Sequence, residues 1–325
     1  MSRSQSDIHD GKNQESYDRN VREHDSLSLN STLYLAYRDV GMLIERHLFS
    51  KLPSGRLRFL DYGCGVGLST QIVLHHLKKS TDYTVEATGV DINEANLALA
   101  QEKLPRVTFK RISPGVPGSG SRVCVASPAG AQPSTTVASE TARTVDSEPV
   151  DALELEAIAG TAGISPERGF DQTEKFDLIT CNFVLVEMKE EQMLLVLEAL
   201  KNLLSENGVI IVTNPTARAY RPENRWYTFN NQFVENVPTR KKEATEKLKY
   251  VEDQAIKIQV FASAARDQSF TFFDYFHSGS AYRRAYAAAG LTLLETHKPI
   301  GKPDDNIAWC AEAEFPPYKL HVLGC

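Results

Sequence analysis

Three alternating glycines stand between an apolar segment and a helical pattern, and this arrangement narrows the possible folds more than any other stretch. Residues 59–67 read Phe-Leu-Asp-Tyr-Gly-Cys-Gly-Val-Gly, and residues 68–79 carry apolar side chains at helical spacing. Glycine adopts backbone conformations that other residues avoid. Gly63, Gly65 and Gly67 therefore allow a tight turn and bring a ligand close to the peptide N–H groups at a helix start.

The same alternation of strand-like and helical segments continues along the chain. Repeated β–α–β order predicts a parallel sheet with helices on both faces. We expect strands at 57–62, 84–90, 107–110, 176–181, 209–213, 256–262, 269–275, 291–297 and 319–323, with a turn at Asn207-Gly208. We expect helices at 31–48, 68–79, 94–103, 190–204 and 280–289.

Two segments lack the apolar residues that a folded core needs. Residues 1–25 form a polar tail that we expect to be flexible, in which Tyr17 either closes over a ligand or stands exposed. Of the 37 residues from 113 to 149, 25 are Ser, Pro, Ala, Thr or Gly. We expect a disordered insertion that interrupts one domain of residues 26–325, because loop closure entropy grows slowly with length.

The composition disfavours several kinds of partner. The chain has 36 Lys and Arg against 42 Asp and Glu, so it lacks the basic excess that attracts nucleic acid or anionic membranes. It contains no apolar run of membrane-spanning length and no apolar signal core at its start, which predicts a cytoplasmic protein. Its five cysteines are irregularly spaced, so we expect free thiols and no metal site.

Two carboxylates near the glycine loop indicate the kind of ligand. A dinucleotide site of the form GxGxxG would need glycine at position 68, where the chain has Leu68. Asp61, two residues before the first glycine, suits a cationic ligand better than a pyrophosphate. Asp91, followed by Ile92, ends the next strand, where a carboxylate can accept both ribose hydroxyls or else cap a helix. Together they describe a positively charged nucleoside.

With two later segments, Phe176–Ile179 and Leu203–Gly208, these motifs resemble those of class I S-adenosylmethionine-dependent methyltransferases. The resemblance runs from about residue 31 onward and implies a Rossmann-like α/β fold with S-adenosyl-L-methionine as cofactor. It implies a seven-stranded, mostly parallel sheet of order 3-2-1-4-5-7-6, with helices on both faces and an antiparallel last strand. Asp61 is one of the implied cofactor residues. The others are Gly63, Gly65 and Gly67 at the methionine moiety, Asp91 and Ile92 at the ribose, Asn182 and Phe183 after the fourth strand, and an acidic residue near the adenine.

The acidic residue that meets the adenine amine in this family is displaced by the insertion. Asp151, in the run Asp-Ala-Leu where composition turns ordinary again, resembles that motif and is our preferred candidate. Asp171 is the competing candidate.

The acceptor is expected to bind beneath a cap formed by residues 214–275, which follow the fifth strand. Tyr220, Arg221 and Trp226 are candidate substrate residues, together with Tyr17 from the tail. The aromatic rings either stack on a flat substrate or pack within the cap, and the arginine either pairs with a carboxylate or is solvated. His277 is the candidate general base, with a loop contact as its alternative role.

These observations predict an enzyme that moves a methyl group to an O or N atom of a small molecule. The reaction is an in-line displacement that positioning alone can accelerate. The segment after the fourth strand reads Asn-Phe-Val-Leu instead of the Pro-Pro-Tyr signature of nucleic-acid amino methyltransferases. A protein methyltransferase, a catalytically silent binding protein and a nicotinamide oxidoreductase are the alternatives.

Overall fold

A seven-stranded sheet forms the centre of the protein. This computed structural model describes residues 27, 29–52, 55–80, 83–112, 174–236 and 250–325, which belong to one compact unit. The strands of the sheet are β1 (Arg56–Tyr62), β2 (Thr84–Asp91), β3 (Thr108–Arg111), β4 (Phe176–Asn182), β5 (Leu204–Pro215), β9 (Thr292–His297) and β10 (Tyr318–Gly324). All pairs are parallel except those of β10, which is antiparallel to β5 and β9. The strands lie in the order β3–β2–β1–β4–β5–β10–β9. When the strands of this sheet alone are numbered along the chain, the order is 3-2-1-4-5-7-6, which confirms the expected topology.

Helices cover both faces of the sheet. They are α1 (Tyr34–Tyr37), α2 (Val40–Ile44), α3 (Leu68–Ser80), α4 (Glu94–Lys103), α5 (Glu190–Leu203) and α6 (Gly279–Ala288). One apolar cluster buries the inner side of α5 and α6, including Leu197 and Tyr286. A second cluster buries α1, α2 and α3 against the other face, including Leu43 and Val73. Removal of these side chains from water stabilises the layered fold.

The first helical segment is divided, although one helix over 31–48 was expected. α1 and α2 are separated at Asp39, and a π-helical turn, Glu45–Phe49, follows α2. Asp39 has φ −101° and ψ 5°, outside the helical region. Its carboxylate accepts hydrogen bonds from Arg38 and His297. These side-chain contacts compete with a continuous helix at this point.

Strand β5 is longer than expected, because the Asn207-Gly208 turn lies within it. β5 begins at Leu204, directly after α5. Its ladder to β4 pairs Phe176 with Leu204 but Leu178 with Val209, so the register shifts between them. The residues between Leu204 and Val209 form a bulge, so the Asn207-Gly208 pair lies within the strand instead of ending it.

A small antiparallel sheet lies within residues 214–275. It consists of β6 (Phe229–Asn230), β7 (Ala255–Phe261) and β8 (Ser269–Tyr275), in that order. Arg266, near the tip of the expected β7–β8 hairpin, has φ 56°. The expected flexible tail (1–25) and disordered insertion (113–149) lie outside the described residues. Among the described helices, none has both the length and the apolar character needed to span a membrane.

Candidate active site

The glycine loop lies at the carboxyl end of β1, where β2 and β4 flank this strand on its two sides. Open α/β sheets place their ligands at such a switch in strand order. The N–H groups of Gly63 and Cys64 both donate to the carbonyl of Val90, at 2.8 and 2.9 Å, which ties the loop to β2. Gly63 and Gly65 have φ of +74° and +51°, a region that favours glycine.

The space beside each of these glycines differs. A Cβ atom on Gly63 would collide with the side chain of Val184, whereas a Cβ on Gly65 would meet nothing within 4 Å. The loop is therefore packed against the segment after β4 at Gly63 and open at Gly65. An open backbone position at the start of α3 suits a ligand that approaches the peptide groups closely.

Asp91 connects the end of β2 to the glycine loop. Its Oδ2 accepts the N–H of Gly65 at 2.8 Å, and its Oδ1 accepts the N–H of Asn93 at 2.8 Å. Each carboxylate oxygen can accept another hydrogen bond, so both stay available to a pair of hydroxyls. Burial raises the pKa of Asp91, and the backbone N–H groups oppose that shift. Ile92, beside it, is 38% exposed.

Asp61 lies beneath the loop and not in front of it. Its side chain is fully buried, and its Oδ2 accepts the hydroxyls of Ser69 and Thr70, both at 2.6 Å. Its Oδ1 accepts the hydroxyl of Thr180 at 2.7 Å. The expectation that Asp61 faces a cationic ligand is corrected: the carboxylate joins β1 to the first turn of α3 and to β4.

The ends of β4 and β5 present polar atoms without partners. The Oδ1 of Asn182 and the Oγ1 of Thr213 are buried and make no hydrogen bond. Phe183 has φ 61°, its N–H donates to the carbonyl of Thr213 at 2.9 Å, and its ring meets that of Tyr318 edge-on at 5.2 Å. Because Val184 contacts the Gly63 position, this segment and the glycine loop border the same crevice.

Two of the candidate substrate residues, Trp226 and Arg221, have contacts of their own in the structure. Trp226 is buried in the cap, where its Nε1–H donates to the carbonyl of Ala219 at 3.1 Å and its ring stacks on Phe229. Arg221 is exposed and 3.8 Å from Glu223, also exposed. Of the alternatives predicted for these two residues, the structure matches packing within the cap for the tryptophan and solvation for the arginine. Tyr17, Asp151 and Asp171 lie outside the described residues.

His277 is buried and holds the segment that follows β4. Its Nε2 donates to the carbonyl of Met188 at 2.8 Å, which fixes the proton on that nitrogen because a carbonyl can only accept. Its Nδ1 lies 3.6 Å from Oδ1 of Asp253 and has no hydrogen-bond partner. Burial lowers the pKa of this ring. Of the two roles predicted for His277, its contacts therefore match the loop contact and not a free general base.

Tyr220 belongs to a buried pair that sequence reasoning missed. Its hydroxyl donates to Oδ2 of Asp274 at 2.9 Å, and the other oxygen, Oδ1, is buried without a partner. Burial raises the pKa of Asp274 to about 7, and the hydrogen bond from Tyr220 opposes this rise. Tyr220, a candidate substrate residue, is thus buried within the cap, and its hydroxyl holds a carboxylate. The sequence feature that could have indicated this pair is the single acidic residue within the aromatic run Phe-Thr-Phe-Phe-Asp-Tyr-Phe, residues 270–276.

The family follows from a comparison with known sequences. A model of a methyltransferase domain family matches residues 34–296, which is more than half of the chain. The chain belongs to this methyltransferase family. Membership confirms the expected class of enzyme and its methyl donor, S-adenosyl-L-methionine. Within the described ranges, no group of three or more His, Cys, Asp and Glu side chains is arranged to hold a metal ion.

Individual proteins resemble this methyltransferase more distantly. A trans-aconitate 2-methyltransferase from Variovorax paradoxus (strain S110) is 33% identical over 85 residues, which cover 26% of this chain and 31% of that relative. An S-adenosylmethionine-dependent methyltransferase structure from Clostridium acetobutylicum is 13% identical, with 89% and 91% of the two chains covered and a TM-score of 0.45. DesVI of Streptomyces venezuelae is 14% identical over 96% and 97%, with a TM-score of 0.45.

Proposed function

We propose that this methyltransferase moves a methyl group from S-adenosyl-L-methionine to an O or N atom of a small-molecule acceptor. The observation that carries the proposal is the glycine loop hydrogen-bonded to Asp91 at the β1–β4 switch in strand order. This arrangement combines a backbone open to close approach with a carboxylate that has capacity for two hydroxyls.

The described residues divide the binding of the cofactor among three strand ends. Gly63, Gly65 and Gly67 border the methionine moiety, and Asp91 accepts the ribose hydroxyls. The exposed apolar side chain of Ile92 offers a surface for the adenine ring. Asn182 and Phe183 close the crevice from β4, and the unpartnered Oδ1 of Asn182 can accept an N–H donor of the ligand.

The chain's own contribution to the chemistry is positioning. When bound, the sulfonium supplies a methyl group that is already activated toward displacement. The residues of the crevice hold the acceptor in line with that group and exclude water, which can supply several kcal/mol of the acceleration, of the order of 7–11 in favourable cases. A small acceptor agrees with the name of the trans-aconitate enzyme, although the similarity to that relative spans 31% of its length.

Calorimetric titration with S-adenosyl-L-methionine tests the proposal. We expect the wild type to bind and Asp91→Ala to bind about 10- to 100-fold more weakly, because hydrogen bonds to a charged group contribute about 1.5–3 kcal/mol. Glu86→Ala is the matched control, since Glu86 is an exposed acid on the same strand. A wild type without affinity, or an Asp91 variant equal to the control, would refute the proposed site.

A further inference from the structure

Several buried polar atoms without partners gather on one side of the sheet. Among the described residues, eight buried side-chain N and O atoms make no hydrogen bond. Four of them belong to three residues: both amide atoms of Asn214, Oδ1 of Asp274 and Nδ1 of His277. Each such atom costs about 1–3 kcal/mol when left unpaired, and native proteins rarely leave them so. These atoms therefore need hydrogen-bond partners from outside the protein, supplied by water or by a polar ligand.

One tyrosine, Tyr282 of α6, contacts both His277 and Lys319. The ring of His277 meets that of Tyr282 edge-on at 5.5 Å. Asn214 is directly opposite Lys319 in the β5–β10 ladder, so their side chains share a face of the sheet. The Nζ of Lys319 lies 3.9 Å from the centre of the Tyr282 ring.

Asp274 lies in the segment that leads into the helix of this tyrosine. It is the second-last residue of β8, three residues before His277, and α6 begins at Gly279. We call the group formed by Asn214, Asp274, His277, Tyr282 and Lys319 the polar chamber.

The polar chamber adjoins the end of β4, where the proposed cofactor site lies. β8, which carries Asp274, packs against the short 3-10 helix Leu185–Glu187 that follows Phe183 closely. His277 binds the carbonyl of Met188 just beyond that helix. The chamber and the crevice thus share the segment after β4.

We propose that the polar chamber binds the methyl acceptor and that Asp274, held by Tyr220, takes a proton from its nucleophilic hydroxyl group, or from its ammonium group to free the amine that attacks. This inference rests on the proposed function and names its substrate class: a small polar molecule that presents an O–H or N–H donor. A carboxylate acceptor offers no such donor, and the charge of Asp274 repels it.

The proposed step balances. The lone pair of the acceptor O or N forms a bond to the methyl carbon, and the C–S bond breaks with its electron pair remaining on sulfur. The proton of the acceptor moves to Oδ1 of Asp274, the oxygen that Tyr220 leaves free. Burial of the carboxylate raises its pKa to about 7, close to the operating pH that a general base needs.

Tyr220 donates a hydrogen bond to Asp274 from the segment after β5. Burial raises the pKa values of Tyr220, Tyr282 of α6 and Tyr318 of β10 most, and the charge of Asp274 adds to each rise. Lys319 has a pKa lowered by burial to about 7, so it also titrates near neutrality. A variant of Lys319 is therefore required to assign a pH effect to Asp274.

The first test identifies the chemistry of the product. Protein is incubated with methyl-labelled S-adenosyl-L-methionine and a small-molecule cell extract, and the labelled products are treated with base. We expect base-stable label in N-methyl or ether form. Base-labile label would identify a carboxylate ester, and absence of small-molecule label would mean that the chamber takes no such acceptor; either result overturns this inference. Binding of the cofactor, measured separately, tests the proposed function itself.

The second test uses variants in the same assay. Asp274→Asn is expected to lower kcat/KM about 10²- to 10⁴-fold while affinity for S-adenosyl-L-methionine stays within twofold. In the wild type, kcat/KM should rise with pH through about 7, because the carboxylate is the active form. Tyr220→Phe should move this inflection upward by about one pH unit, since the hydrogen bond that lowers the pKa is lost.

Controls separate this role from a structural one. Tyr83→Phe removes a tyrosine hydroxyl that donates to the carbonyl of Leu52, and both residues are far from Asp274 in the sequence. This variant should leave the pH profile of kcat/KM unchanged. Lys319→Met should retain the inflection. If Asp274→Asn folds poorly, as judged by its melting temperature, the shift in Tyr220→Phe decides. Turnover and pH profiles that are the same in Asp274→Asn, Tyr220→Phe and wild type would mean that the chamber holds only water.

Discussion

Substitution of Gly63 by alanine offers a direct test of how the glycine loop is built. Alanine at φ +74° is strained by about 1–2 kcal/mol. Its Cβ would also overlap the side chain of Val184, and such overpacking costs about 1–3 kcal/mol. We therefore expect Gly63→Ala to lower the free energy of unfolding by about 2–5 kcal/mol.

Gly65→Ala is the matched control for this prediction. Gly65 also has a positive φ, +51°, but its Cβ would meet no atom within 4 Å. Only the backbone strain of about 1–2 kcal/mol applies there. In a domain of this size each kcal/mol shifts the melting temperature by about 2–4 °C, so the two variants should differ measurably.

Thermal and urea unfolding of four proteins completes the experiment. They are wild type, Gly63→Ala, Val184→Ala and the double variant, which together form a double-mutant cycle. We expect a coupling energy of about 1–3 kcal/mol, because the smaller side chain at position 184 removes the overlap. Equal stability of the two glycine variants, or a coupling energy near zero, would show that Gly63 is not packed against Val184.

Two further predictions concern buried groups outside the site. Glu312 is fully buried and accepts the Thr32 hydroxyl and the N–H groups of Tyr227 and Cys310, so Glu312→Ala should destabilise by about 3 kcal/mol in urea unfolding, against little change for exposed Glu314→Ala. Burial lowers the pKa of His321 to about 3, so the unfolded chain binds a proton that the folded protein does not as pH falls below about 6.5. Stability should then fall by about 1.4 kcal/mol per pH unit between about 6 and 4, and His321→Asn should remove that part of the slope in melting curves. An unchanged slope would contradict the assignment.

Much of the fold could be predicted from periodicity. The segments before and after the glycine loop carry apolar residues at strand and helix spacing, and the structure has β1 and α3 there. Where the prediction missed, tertiary contacts were responsible. The Asn207-Gly208 turn lies in a bulge because β4 continues to pair on both sides of it, and the first helix is divided where Asp39 reaches His297, which is distant in sequence.

The site was predictable only where backbone geometry itself is encoded. Alternating glycines specify a loop conformation, so Gly63 and Gly65 could be recognised locally. A side chain in a cap carries no comparable signal: Trp226 packs on Phe229, and sequence alone cannot distinguish that ring from one that stacks on a ligand. Asp274 became a candidate only when the structure revealed an oxygen without a partner.

The position of β10 has a consequence for how this part of the sheet assembles. β9 precedes β10 in the chain, yet in the described sheet it joins the other strands only through β10. A ribosome therefore delivers β9 before the strand that it needs as a neighbour, and the pairing of β10 with β5 is what places Lys319 opposite Asn214. Formation of the chamber is thereby coupled to completion of the sheet.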